Sequence, residues 1–215
     1  MQLDHPLAVI TPTVDGDVLA VLAGADSAFT TRQVHRVLDR YSYSGVRKVL
    51  ERLAEQGVVE VQRYGTADVF RLNREHLAAG PIVELASLRA RVIDRLRVEI
   101  ERWPLSPVYA ALFGSAARGG MRPGSDIDLF VVRPPEVDAE DQQWLEQLGQ
   151  LESRVTAWTG NDARVLEYSD ESVRALWSDE PVLESVRTDA VVLFGSSSYW
   201  RSIEHGDEKW SDGPL

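Results

Sequence analysis

The chain contains no cysteine, which excludes disulfides and thiolate metal sites and fits a reducing cytoplasm. His35, His76 and His205 are dispersed with no metal-ligand spacing, so each reads as a surface or capping histidine. No apolar run approaches the ~20 residues of a membrane span. The start, Met1-Gln2-Leu3-Asp4-His5-Pro6, lacks a basic segment followed by a long apolar core. A cytoplasmic protein with no membrane contact is the expectation. Internal repeats are absent as well. With 215 residues, there is length for one large or two small domains and ample material for a buried core.

Positive charge is scarce overall, the formal net charge being −11. Spread evenly, that would argue against nucleic acid. Residues 30–74, however, carry nine Lys and Arg against five Asp and Glu, whereas residues 104–215 carry nine against twenty. A basic patch therefore precedes an acidic half.

The basic part has a clear local pattern. Residues 18–22 form the apolar stripe of a first helix stopped by Gly24, and a threonine of Phe29-Thr30-Thr31 can cap a short second helix over 32–38. Ser42 can cap a third, running through Gln56, with Val46, Val49, Leu50 and Leu53 on one stripe and Gly57 closing it. Its other side presents Tyr43, Ser44, Arg47, Lys48 and Arg52. Two apolar runs, 58–64 and 69–72, then flank a Gly-containing tip, which predicts a hairpin. Three helices and a hairpin resemble a winged helix-turn-helix domain. The resemblance implies double-stranded DNA binding through Tyr43, Ser44, Arg47 and Lys48 on the third helix, with Arg63 on the wing. The alternative is a protein-interaction module with a solvated basic face.

Residues 73–80 are polar and lead through Ala78-Ala79-Gly80 into Pro81, a hinge. A long helix is predicted over 82–103, its Ile82, Leu85, Leu88, Val92, Leu96 and Ile100 forming a stripe that serves as core or as a homodimer seam.

The chemistry concentrates between Ala110 and Val132. Leu129 to Val132 continue back through Ile127 as a strand, so Asp126 and Asp128, two residues apart, point to the same face. Adjacent carboxylates aimed at one spot repel unless a cation lies between them. Mg²⁺ suits such oxygen ligands, and two ions in a paired site can activate an attacking oxygen and shield a departing phosphate. Upstream, residues 109–113 read as a buried strand leaving through Gly114-Ser115 into a helix. Gly114 removes the side chain that would keep a phosphate from the backbone, Ser115 can donate a hydroxyl, and Arg118 lies about one turn on.

Gly114-Ser115, Ala117-Arg118-Gly119 and Ser125-Asp126-Ile127-Asp128 are similar to the signature of the DNA polymerase β-like nucleotidyltransferase superfamily, in particular its minimal branch. The resemblance implies an α/β (α+β) fold with a small mixed sheet flanked by helices. It also implies Mg²⁺-dependent transfer of a nucleoside monophosphate from an NTP, ATP being the expected one, with release of pyrophosphate. On that resemblance Gly114, Ser115, Arg118 and Ser125 seat the nucleotide, and Asp126 and Asp128 hold the metal. A third carboxylate is expected on a later strand. Where its offset from Thr159-Gly160-Asn161 would place it stands Arg164, leaving Glu167, which needs a shifted or bulged strand, or Asp162; a surface acid is the alternative for both.

Downstream, an amphipathic helix over 141–159, shorter helices over 172–177 and 182–187, and a last strand over 190–194 are expected, the tryptophans serving as packing. The resulting plan is a winged helix domain at 1–80, a linking helix at 81–103, a nucleotidyltransferase domain at 104–195 and a flexible tail at 196–215. Three functions compete. The first is an enzyme whose acceptor is a protein hydroxyl, a tRNA end or a small cationic compound. The second is a DNA-binding regulator that senses nucleotide. The third, implied by the family resemblance alone, is one member of a toxin and antitoxin pair.

Overall fold

The structure, a computed structural model, describes residues 1–204; the expectations for His205 and the rest of the tail lie outside the described residues. Contacts divide the chain into two compact units, Gln2–Ala90 and Arg91 onward.

In the first unit, α1 (Val14–Ala23) ends at Gly24 and buries Val18 and Leu22 completely. Two-residue β1 (Phe29–Thr30) leads into α2 (Thr31–Val37), whose start is a capping box. Here the Gln33 amide donates to Thr30 Oγ1, and Thr30 N–H donates to Gln33 Oε1 at 2.7 Å. Ser42 caps α3 (Tyr43–Glu55) by accepting from the Gly45 amide at 3.1 Å. Val46, Leu50 and Leu53 form its buried stripe. Gly57, at φ 76°, turns the chain into β2 (Val59–Tyr64) and β3 (Ala67–Leu72). Their register closes on Tyr64 opposite Ala67, so the tip is the two residues Gly65 and Thr66, tighter than expected. β1 adds to β3 through Phe29 opposite Phe70, giving the order β1-β3-β2. That third strand depends on tertiary pairing and had no local signal.

The stretch expected as a hinge is tied down. Asn73 donates through Nδ2 to the Gly57 carbonyl at 2.9 Å, Arg74 donates to Ala23 O and Asp26, and Ala79 is buried. Where one helix is expected over 82–103 there are two, α4 (Ala79–Ala86) and α5 (Leu88–Glu101). The break is at Ser87, whose hydroxyl donates back to the Glu84 carbonyl at 2.8 Å and competes with continued helix. Ile82 and Val83 of α4 pack on the core of the first unit. Among the described residues no helix is long and apolar enough to cross a membrane.

The second unit is built on a four-stranded mixed sheet. Its strands are β4 (Tyr109–Phe113), β5 (Ile127–Arg133), β6 (Ala163–Ser169) and β7 (Val191–Phe194), in the order β6-β5-β4-β7. β4 runs antiparallel to β5 and β7, while β5 and β6 are parallel. Between β4 and β5 lies the one-turn α6 (Gly114–Arg118); α7 (Gln142–Thr159), capped by Asp141, joins β5 to β6. Then come α8 (Asp170–Leu176) and α9 (Pro181–Asp189).

Apart from Asp128 and Arg133, both faces of β5 are buried: Ile127, Leu129 and Val131 alternate with Phe130 and Val132. Phe130 and Val132 pack with Tyr109, Val173, Leu183 and Trp200 in one cluster. Trp200 belongs to α10 (Ser198–Glu204), a helix where a loose tail was expected, and Tyr199 beside it is fully buried and stacked on Tyr109 at 5.3 Å. The polar composition around 196–215 hid an apolar face of three residues, Tyr199, Trp200 and Ile203.

Candidate functional site

The site lies where β4, β5 and β6 bring short segments together. β4 ends at Gly114, which adopts φ 68°, a conformation a side chain disfavours. Space gives a second reason for glycine. A Cβ there would sit 2.5 Å from Asp128 Oδ2. The backbone of the Gly114-Ser115 turn is thus pressed against the second aspartate, and α6 closes after one turn at Gly119, φ 72°, whose amide bonds the Ser115 carbonyl.

Asp128 stands opposite Phe113 on one side and Arg164 on the other. Asp126 immediately precedes β5 and shares Asp128's face. The loop before it is braced: Ser125 Oγ accepts from the Arg122 amide at 2.9 Å, and Asn161 Nδ2 donates to the Ser125 carbonyl at 2.7 Å. The Ile127 amide donates to the Asp162 carbonyl at 2.8 Å. Asn161 is buried and its role depends on a contact between distant segments, so nothing local pointed to it.

Electrostatics set Asp128 apart from an ordinary surface acid. Burial pushes the Asp128 carboxyl above its ordinary value, and the charge of Asp126 pushes it the same way against the weaker pull of Arg164 and Arg118. Arg164 Nη2 lies 3.0 Å from Asp126 Oδ2, with 72% of the arginine side chain exposed. Arg118 faces α9, donating to Ser185 Oγ at 3.3 Å with Asp189 at 3.9 Å.

Glu167 is not brought to this site. The β5–β6 register runs unbroken from Ile127 opposite Ala163 to Arg133 opposite Ser169, so there is no bulge to turn Glu167 toward the aspartates. It faces the other side and pairs with Arg133 at 2.7 Å, and Arg133 also donates to the Val137 carbonyl. The charged residue of β6 that does share the aspartates' face is Arg164; strand alternation was the signal for its face, and the register with β5 sets it opposite Asp128.

Two carboxylates side by side and partly buried are a donor set that a hard divalent ion could use. Mg²⁺ is commonly held by one or two carboxylates with phosphates and waters completing its shell. Among the described residues no group of three or more His, Cys, Asp or Glu is placed to hold a metal.

In the first unit, Tyr43, Ser44, Arg47 and Lys48 are exposed on α3, and Arg63 is exposed on β2 opposite Asp68. Tyr43 meets the His35 ring edge-on at 5.7 Å. Arg47 is engaged by Glu51 at 2.7 Å, one turn along the same helix, and Arg52 is drawn toward Asp15.

Residues 93–187 match the family model described as "Nucleotidyltransferase domain". That span contains Gly114, Ser115, Arg118, Asp126, Asp128 and Arg164. Two of the solved structures similar to the chain are a toxin-antitoxin with AMP-PNP, 23% identical, and a mutant of the toxin-antitoxin MntA-HpeT, 21% identical. Each comparison covers 55% of this chain and 82% of the other with a TM-score of 0.36, a likeness too weak to decide fold or partner. No curated protein matches the chain.

Proposed function

We propose that the second unit is a metal-assisted nucleotidyltransferase that moves a nucleoside monophosphate from an NTP to an acceptor, and that the first unit is a winged helix that binds DNA. The observation that carries the first part is the approach of the Gly114 backbone to Asp128, which leaves room for no side chain between the phosphate-binding turn and the metal-binding carboxylate.

Asp126 and Asp128 would hold Mg²⁺, whose charge would offset the negative charge of the phosphates during transfer. The chain's own residues do the rest. Ser115 donates its hydroxyl to a phosphate oxygen, Arg118 adds a charge-assisted contact once it leaves Ser185, and the braced loop at Ser125 fixes the two carboxylates in place. The acceptor's hydroxyl oxygen attacks the α-phosphorus in line, giving its proton to solvent as the bond to pyrophosphate breaks.

Incubation of the full chain with α-labelled NTPs, Mg²⁺ and cell lysate tests the reading. Label transferred by the wild type and lost in Asp126→Ala/Asp128→Ala supports it; equal labelling by both rejects it.

For DNA, support comes from the helix order, the hairpin and the excess of basic residues over 30–74. Tyr43, Ser44, Arg47 and Lys48 face the groove, and Arg63 touches the backbone from the wing. Duplex affinity that falls steeply with salt and drops in Arg47→Glu/Lys48→Glu is the expected result. A second reading, a regulator that senses nucleotide without transferring it, is favoured by Arg164 standing beside the aspartates in place of an acid. Nucleotide-dependent DNA affinity with no label transfer would select it.

A further inference from the structure

Three arginines lie on or near the strands of the aspartate site, and they differ in what holds them. Arg133 is mostly buried, engaged by Glu167 and by the Val137 carbonyl on the face away from the aspartates. Arg118 leans on Ser185 and Asp189 of α9. Arg164 stands opposite Asp128 in the parallel register, on the aspartates' own face, with its guanidinium 3.0 Å from Asp126 and most of its side chain in solvent.

An exposed ion pair of that kind is weak, so a stronger anion can draw the guanidinium away from Asp126 at little cost. A triphosphate is such an anion, because the planar fork of donors matches phosphate oxygens two at a time. The same guanidinium, while it rests on Asp126, competes with a cation for that carboxylate. A site of two acids and one arginine carries a net charge of −1, and the guanidinium already supplies, at Asp126, part of the positive charge that a second divalent ion would bring.

We propose that Arg164 makes this a one-cation site, its guanidinium binding the nucleotide's phosphates at the position beside the aspartates that a second divalent ion would otherwise fill. The inference rests on the nucleotide-binding reading above and adds to it a phosphate ligand and a metal stoichiometry. It also gives Arg164 opposite effects on the two ligands. The guanidinium helps the nucleotide and hinders the free ion.

The test uses the full chain, Mn²⁺ as a paramagnetic probe and the non-transferable ATP analogue with a methylene between the α and β phosphates. Wild type, Arg164→Ala and Arg164→Lys are compared by electron paramagnetic resonance for bound Mn²⁺ and by calorimetry for the nucleotide, after circular dichroism has confirmed that the variants are folded. Wild type with nucleotide should take up a single Mn²⁺ per chain. Arg164→Ala should bind the analogue about tenfold more weakly at saturating Mn²⁺, yet bind Mn²⁺ alone about threefold more tightly because Asp126 is no longer shared. Arg164→Lys, which keeps the charge but loses the fork, should fall between for the nucleotide.

Two Mn²⁺ per wild-type chain would overturn the inference, as would an Arg164→Ala variant whose nucleotide affinity stays within about twofold of wild type. These outcomes leave the transferase reading standing. Wild type that binds no analogue at any Mn²⁺ concentration is a different result: the nucleotide reading falls, and this inference with it.

Discussion

Two aspartates, one in each unit, show how differently this chain treats a carboxylate withdrawn from water. Asp17, in α1, is only 6% exposed. Burial alone would raise its pKa, but hydrogen bonds from Tyr41 at 2.6 Å and from Arg40, with the charges of Arg40 and His5, outweigh it and hold the carboxyl below its ordinary value. Asp128 is withdrawn too, but burial and then the charge of Asp126 outweigh the pull of Arg164 and Arg118, and its pKa moves up. The first carboxylate is satisfied by its own chain. The second is partly withdrawn from water beside a like charge, a combination that marks a candidate functional group.

The strongest way to break this contrast is to neutralise each acid in turn. Asp128→Asn should lower label transfer by about a thousandfold, the scale of several kcal/mol of transition-state charge stabilisation, while leaving the melting temperature unchanged or higher. Single-turnover assays and calorimetry on one preparation check both halves; a variant that keeps its activity would make Asp128 an ordinary surface acid. Asp17→Asn should do the reverse. Leaving Arg40 and Tyr41 without their acceptor should cost the first unit roughly 1–3 kcal/mol, discounted from a fully buried pair because the Arg40 side chain is 47% exposed. Transfer activity should stay within about twofold of wild type, since the units have separate cores.

Acidity sharpens the comparison with a smaller effect of opposite sign in each unit. Because Asp17 is depressed in the folded state, its stabilisation is present above the unfolded carboxylate value of about 4 and is lost as pH falls through the folded value. Because Asp128 is raised, its contribution is fully present below about 4 and is lost as pH rises through the folded value. Urea midpoints measured from about pH 3 to pH 7 should therefore converge at low pH for wild type and Asp17→Asn. At neutral pH, wild type and Asp128→Asn should separate, the variant being the more stable.

What was legible in the sequence followed the same division between local and distant causes. The caps at Thr30 and Ser42, the stripe of Val46, Leu50 and Leu53, and the Gly114 turn before Asp126 and Asp128 are set within a few residues, and their patterns could be read directly. Arg164 was half legible, because alternation gives its face but only pairing with β5 brings it opposite Asp128. β1, the break at Ser87, the brace from Asn161 and the packing of α10 were not legible. Each depends on a partner far along the chain or on a single side-chain bond that the apolar period does not record.

The smallest expected effect concerns Glu167, the acid that sequence alone offered as a catalytic group. It resembles Asp17 more than Asp128: a partner arginine at 2.7 Å, on the sheet face away from the site, with no shift of register to bring it round. Glu167→Gln keeps the side chain's length and one acceptor, so the Arg133 contact weakens without emptying. Its cost should be about 1 kcal/mol or less, the range of a partly exposed pair. Label transfer should stay within about twofold of wild type, because a group that cannot reach the reacting oxygen cannot act as its base. A loss of tenfold or more with an unchanged melting temperature would mean that β6 slides when nucleotide binds, and Arg164 would then have to leave the aspartates' face as Glu167 arrived.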